Sequence, residues 1–174
     1  MAFEFDISQS SLLRGLWIIK PSISLDNRGN IWTSFEKNSI EKLLTDNIVF
    51  KHDKFSYSSK NVIRGIHWDS KSWKLVTCVY GDIFQVVVDL RPASQTYFKY
   101  ESFNISPQNQ ILLLIPPNMG NAYCVLSNEA VYHYKLAYEG DYIDADQQFS
   151  LKWNDPNIGI NWPIKNPILS ERDK

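Results

Sequence analysis

The sequence predicts an all-β fold, a sandwich or a barrel, and three observations carry that reading. Short runs of β-branched and aromatic residues recur along the 174-residue chain. Turn residues separate these runs at close intervals. Only one stretch shows helical spacing. Many short strands between frequent turns are the pattern of antiparallel sandwiches and barrels.

Residues 16–23 (LWIIKPSI) and 31–35 flank the turn-like LDNRGN. They read as a hairpin in which Gly29 takes positive φ. Residues 36–45 place Ile40, Leu43 and Leu44 at helical spacing, which predicts one short helix. Strands are then predicted over 62–66, 74–80, 82–90, 97–105, 110–115, 123–126 and 130–138. Gly81, Pro92, Pro107, the Pro116-Pro117-Asn118 run and Ser127-Asn128 mark the turns between them. Residues 139–174 read as irregular, with Pro156, Gly159, Pro163 and Pro167 as breakers. No repeat or linker interrupts the chain, so one domain is expected over residues 1–174.

Alternation along two of these strands adds detail. In 82–90, Phe84, Val86, Val88 and Leu90 share one face, and Ile83, Gln85, Val87 and Asp89 the other. In 130–138, Tyr132, Tyr134, Leu136 and Tyr138 share a face, while His133 and Lys135 point the other way. Three tyrosine hydroxyls on one face need partners, which favours a pocket wall over plain core.

Composition excludes several partners. Eighteen Lys+Arg oppose nineteen Asp+Glu, a net charge of −1, so no electrostatic footprint for nucleic acid is visible. No run reaches the roughly 18 apolar residues of a membrane span. MAFEFDISQS lacks the basic segment and apolar run of a secretory leader. Cys78 and Cys124 lie far apart inside apolar stretches and read as buried free thiols of a reducing compartment. A cytoplasmic protein without nucleic-acid or membrane partners is expected.

Three chemistries are conceivable for these residues. A jelly-roll metal site of the G-x5-H-x-H type needs paired histidines, but His52, His67 and His133 sit on separate segments, so no metal is expected. No G-x-S-x-G elbow or glycine-rich phosphate loop is present, and neither cysteine has a neighbour that would activate it. Acid–base chemistry remains. His67, at a strand end after Arg64 and Gly65, has the ordinary pKa of a base near neutrality, although a lone histidine is by default structural. Arg28, Arg64 and Lys74 are by default solvated charges, unless they converge on a phosphate or an oxyanion.

The segments NVIRGIH, WKLVTCVYGDIFQVVVDLR, SPQNQILLLIPPNMGNAY, YHYK, WNDPNIGINWP and PILSERD occur in one order across nearly the whole chain. In this ordered set the chain resembles the dTDP-4-dehydrorhamnose 3,5-epimerase family. FKHDKF, KLVTCVYG, PPNMGN and YHYKLAYEG bring it closest to the branch that epimerises GDP-4-keto-heptoses for capsular polysaccharide. The resemblance implies a cupin-type jelly-roll barrel with one or two short helices, a homodimer, and a reaction without metal or cofactor. It implies His67 as catalytic base, Tyr134 as general acid on the opposite face of the sugar, and Asp173 as the partner of His67. It also implies Lys74 near the C4 oxygen, and Arg64 and Arg28 on the substrate and its diphosphate. Asn121 and Asp69 are expected to touch substrate as well.

These residue types suit the chemistry. A 4-keto group acidifies the hydrogens on C3 and C5, a base removes one, and a cation steadies the enolate oxygen. An acid on the other face then returns a proton and inverts the centre, provided neighbours lower its pKa if it is a tyrosine.

The chain departs from the rhamnose-type pattern at His67-Trp68-Asp69 (for H-F-Q), at Gly120-Asn121-Ala122-Tyr123 (for A-H-G-F), and at Thr33 (for Glu). These changes near the sugar site shift the expected substrate to a GDP-linked 4-keto-heptose. The alternatives are a dTDP-4-keto-6-deoxyhexose 3,5-epimerase, a sugar 3,4-ketoisomerase and a non-enzymatic sugar-binding module.

Overall fold

The computed structural model describes residues 4–45 and 48–174. Its strands, in chain order, are β1 Phe5–Gln9, β2 Trp17–Pro21, β3 Ile23–Asp26 and β4 Gly29–Trp32. After helix α1 (Lys37–Glu41) come β5 Val49–Ser59, β6 Ile63–Trp68, β7 Trp73–Tyr80, β8 Ile83–Asp89 and β9 Tyr100–Ile105. The last are β10 Leu112–Ile115, β11 Met119–Val125, β12 Glu129–Tyr138 and β13 Phe149–Ser150. Single 3₁₀ turns cover Ala145–Gln147 and Glu171–Asp173.

Two antiparallel sheets carry the fold, in the orders β1-β2-β10-β7-β12-β5 and β13-β6-β11-β8-β9; β3 and β4 form a separate hairpin. The non-sequential neighbours are the crossovers of a jelly roll. Alternation along the strands turns Val76, Cys78, Ile83, Val87, Met119, Val125 and Tyr132 into one buried cluster between the sheets. The outer faces are covered too. Ile40 of α1 packs with Trp73, Leu75, Leu112 and Leu114 over the six-stranded sheet. Ile158, Ile160 and Trp162 of the C-terminal segment pack on Val86, Val88 and Phe84 of the other sheet. Because both sheet faces are buried, strands such as VVV and LLLI read as continuous apolar runs.

The helix is shorter than the expected 36–45. Glu36 caps it, accepting hydrogen bonds from the amides of Asn38 (3.0 Å) and Ser39 (2.8 Å). The predicted hairpin is displaced. Its turn is where expected, with Gly29 at φ +133°. However, residues 17–21 leave it to pair with β1 and β10, and the hairpin strands are 23–26 and 29–32. Several edges move as well. β9 starts at Tyr100, after Phe98 at φ +64°; β10 starts after Gln110 at φ +50°; and β11 starts at Met119.

Three strands escaped the sequence reading: β1, the eleven-residue β5, and the two-residue β13, which pairs with β6 inside the stretch expected to be irregular. The exposed residues of β5 alternate regularly, with Lys51, Asp53, Phe55 and Tyr57 outward. Its inward side carries Lys54, Ser56 and Ser58. A hydrophobic period cannot mark a strand whose inner side is polar. The cysteines are free and buried, with both thiols pushed up to about 11 by burial.

Candidate active site

A cavity of about 330 Å³ opens between the two sheets. Its walls hold His67 and Asn121 from one sheet and Lys54, Lys74, Tyr132 and Tyr134 from the other; the C-terminal segment adds Arg172 and Asp173.

Local backbone geometry sets the His67 wall. Residues three apart on a regular strand face opposite sides, yet Arg64 and His67 both line the cavity. Gly65 lies between them at φ +114°, and the β6–β11 pairing shifts register between Asn121 and Tyr123. A Cβ on Gly65 would lie 2.5 Å from the Asn121 carbonyl oxygen, so the strands close up only over glycine.

Asp173 arrives from the far end of the chain. Ile168 bridges to Val62, with its carbonyl accepting from the Ile63 amide at 3.1 Å. This pins the tail beside β6, and the following 3₁₀ turn puts Asp173 Oδ1 at 2.5 Å from His67 Nε2. Ser170 Oγ donates to the other carboxylate oxygen at 2.9 Å. Burial on its own would raise the Asp173 carboxyl. The bonds from His67 and Ser170 outweigh it, so the group is held below its ordinary value.

Lys74 is buried on the inner side of β7. Its Nζ lies 3.5 Å from the His67 carbonyl oxygen and 3.7 Å from Asp69 Oδ2. Burial pulls its pKa down; the Asp69 carboxylate opposes that, and Arg172 adds to it. Asp69 does not reach the cavity. Its Oδ1 accepts from the amides of Lys71 (2.9 Å) and Ser72 (2.6 Å). It therefore shapes the β6–β7 turn and stands behind Lys74, which differs from the expected substrate contact.

Tyr134 lies on β12, the strand that carries the tyrosine face. Tyr132 stacks on Tyr123, with centroids 4.2 Å apart, and is tilted against Tyr134 at 5.8 Å. That face is thus core and pocket wall at once. The expectation that neighbours lower the Tyr134 pKa is not met: burial raises it, and Lys54 and Arg64 offset only part. Tyr134 stays a protonated phenol.

The remaining expected residues divide. Arg64 lines the cavity and donates from Nε to Ser58 Oγ at 2.9 Å. Asn121 lines it too, accepting from Gln85 Nε2 (2.7 Å) and Tyr132 OH (3.1 Å). Arg28 does not. It sits at the β3–β4 hairpin tip, its side chain 80% exposed, paired with Asp26 at 2.5 Å. Thr33 is not a lining residue either. His52 packs on Tyr142, and His133 pairs with Asp53 on the outer face of β12. Among the described residues, no three His, Cys, Asp or Glu side chains cluster.

Several lining residues went unassigned in the sequence. Lys54 (bonded to Tyr142 OH at 2.6 Å) and Ser56 lie on the strand that alternation could not reveal. Arg172 belongs to the PILSERD segment, so its neighbour Asp173 was the available signal.

Comparison with known proteins supplies the context. The family model described as dTDP-4-dehydrorhamnose 3,5-epimerase matches residues 10–174. The chain is 36% identical over 159 residues to a dTDP-4-dehydrorhamnose 3,5-epimerase of Shigella flexneri, spanning 90% of this chain and 86% of that one. It is 30% identical over 165 residues to a dTDP-4-dehydrorhamnose 3-epimerase of Streptomyces niveus, spanning 93% and 78%. Among solved structures, it superposes with a TM-score of 0.88 on a dTDP-6-deoxy-D-glucose-3,5-epimerase of Legionella pneumophila in complex with dTDP-4-keto-L-rhamnose. That pair is 34% identical, covering 98% of this chain and 90% of the other.

Proposed function

We propose, for a chain that belongs to the dTDP-4-dehydrorhamnose 3,5-epimerase family and is thereby a nucleotide-sugar epimerase, that its substrate is a dTDP-linked 4-keto-6-deoxyhexose inverted at C3 and C5. The observation that carries this reading is the cavity itself. His67 on one sheet, paired with Asp173 of the C-terminal turn, shares the cavity with the Tyr134 phenol on the other sheet.

In this reading His67 removes the proton next to the keto group. Asp173 holds the ring and steadies the imidazolium that forms. Lys74 places positive charge at the C4 oxygen as the enolate develops. Tyr134 returns a proton from the opposite face, and its raised pKa keeps that proton available. Lys54, Arg64 and Arg172 give the same cavity a cationic wall for a diphosphate.

The expected GDP-linked heptose and its capsular-polysaccharide role find no support among the relatives described above, which are named for dTDP sugars. The dTDP-4-keto-6-deoxyhexose alternative fits them better. None is named as a ketoisomerase.

A homodimer is part of the proposal. Leu25 and Ile31 on the hairpin are 77% and 68% exposed, and Phe55 and Tyr57 on edge strand β5 are 66% and 62% exposed. An apolar hairpin beside an apolar strand edge fits a second copy of the chain. Arg28 would reach a diphosphate only from such a copy. A cytoplasmic site of action agrees with the two free, buried cysteines.

The test is incubation with dTDP-4-keto-6-deoxy-D-glucose in D2O, followed by NMR. Deuterium at C3 and C5 with inverted configuration is expected. Exchange only with a GDP-4-keto-heptose would overturn the substrate, and exchange at C3 alone would overturn the double inversion. A carbonyl moved to C3 would reveal a ketoisomerase. A carbonyl left at C4 without exchange on either sugar would sink the epimerase reading.

A further inference from the structure

A buried glutamine behind the cavity has no role in the reaction described so far. Gln85 is fully buried on the inner side of β8, between Ile83 and Val87. Its Oε1 has no hydrogen-bond partner. Burying an amide with an unsatisfied oxygen in such a place costs stability. Its other end is fully used. Nε2 donates to the Val86 carbonyl at 3.0 Å and to Asn121 Oδ1 at 2.7 Å.

Those two bonds fix the orientation of Asn121. A carbonyl oxygen only accepts, so the Gln85 atom beside Val86 O must be the NH2 group. Its second hydrogen then points at Asn121, where it needs an oxygen. Tyr132 OH donates to that same oxygen at 3.1 Å. Both acceptor positions of Asn121 Oδ1 are thereby taken, and its NH2 group is turned the other way. Asn121 is a lining residue of the cavity. It pairs across the strands with His67.

We propose that Asn121 is a substrate-contact residue whose amide N–H donates to the C4 oxygen as it becomes an enolate, and that Gln85 is the positioning residue that aims it. This rests on the epimerase reading. A base that takes a proton from C3 or C5 stands next to the carbon bearing that oxygen. Two donor side chains flank His67: Lys74, close to its carbonyl oxygen, and Asn121, opposite it in the sheet. A fixed neutral donor strengthens its bond as charge grows on the oxygen, and it needs no reorientation during the step. Tyr132 serves the same end, since its proton is committed to Asn121 and its phenol is held neutral by burial.

The test uses Asn121→Ala, Gln85→Leu and the double variant, each with its Tm. Steady-state rates with the dTDP-4-keto sugar and dTDP binding by calorimetry are measured on all three. Asn121→Ala is expected to lower kcat about 10- to 100-fold with dTDP affinity unchanged, the signature of a contact that matters in the transition state. Gln85→Leu, which removes an unpaired polar atom from the core, is expected to stay folded and lower kcat about tenfold by freeing the amide to turn. Added to Asn121→Ala, it should lower kcat no further, which a merely structural defect would not reproduce. Weakened dTDP affinity at unchanged kcat would place Asn121 on the diphosphate and overturn the proposal. So would additive effects in the double variant. Wild-type exchange in D2O with unchanged kcat in both single variants would overturn this inference alone, whereas absent wild-type exchange would overturn the epimerase reading beneath it.

Discussion

His67 Nε2 and Asp173 Oδ1 stand 2.5 Å apart although 106 residues separate them in the chain. One lies on a central strand and the other in the last turn of the protein. The tail reaches that position through backbone bonds between residues 61–63 and Ile168, and the Asp173 carboxylate is almost completely buried. The pair therefore joins a strand to a tail that contributes no residue to the buried cluster between the sheets. Replacing Asp173 by Ala should lower kcat by about 10²- to 10⁴-fold, by analogy with aspartates that orient a catalytic imidazole. Far-UV circular dichroism should be unchanged. Equal loss of activity and secondary structure would show that the tail holds the barrel together instead.

Tyr134 and His67 come from different sheets and so have separable roles. Tyr134→Phe removes the proton that the opposite face would return and leaves the ring packing in place. Epimerised product should fall about 10²- to 10⁴-fold. Deuterium should still enter from solvent with retained configuration, because His67 is intact and hands a proton back to the face it came from. NMR of the recovered substrate reads this directly. Since burial raises the Tyr134 pKa, no loss of the acid form is expected below about pH 10. A fall in kcat between pH 7 and pH 9 that disappears in Tyr134→Phe would contradict that assignment.

Legibility in the sequence followed burial. β12 was readable because an apolar or aromatic residue marks each inner position, and β8 because Ile83 and Val87 face the core between the sheets while Val86 and Val88 are buried on its other side. β5 was not, because the cavity replaces core along it and its inner positions are Lys54, Ser56 and Ser58. The residues that make the site useful therefore hid the strand that carries them. The outward face of β12 misled in no way, since His133 and Lys135 both turn outward to Asp53. Asp173 had no local signal, and only resemblance pointed to it. Arg28 shows the opposite case: the motif matched, but the hairpin holds it outside this chain's own cavity. Asp69 matched as well, yet its carboxylate was needed by the turn amides and Lys74.

Gly65 should not tolerate a methyl group. Its φ of +114° disfavours any side chain, and an added Cβ would meet Asn121 O at 2.5 Å and Ala122 Cβ at 2.7 Å, neither of which is a flexible tip. Gly65→Ala is expected to destabilise by at least about 2 kcal/mol, combining an unfavourable backbone with overpacking. Arg64 and His67 would shift with it, so activity should fall at temperatures where the variant is still folded. Thermal unfolding alongside a rate assay at 20 °C checks both. A Tm within 1–2 °C of wild type, a margin of roughly the size expected for a neutral change, would refute the close-approach argument.

Asp89 supplies a stability effect with a defined pH window, away from the cavity. It is fully buried at the end of β8, and its oxygens accept from Arg91 Nε and NH2 (both 2.8 Å), Ser94 Oγ (2.5 Å) and Thr96 Oγ1 (2.6 Å). Burial pushes its pKa up, but these bonds outweigh it and hold the carboxyl at about 2, against an ordinary 3.8. A folded pKa below the unfolded one means that the ionised form stabilises the fold. That contribution is complete above the unfolded value and is lost as pH falls from about 4 through 2. Its size is at most about 2.5 kcal/mol, since each pKa unit is worth roughly 1.4 kcal/mol. Asp89→Asn keeps the shape and removes the charge. The stability difference between wild type and Asp89→Asn, from urea unfolding, should be constant from pH 7 to pH 5 and then shrink as pH approaches 2. A difference that grows on acidification would mean that Asp89 is protonated in the folded protein, and the Arg91 pairing would then not be the source of its stability.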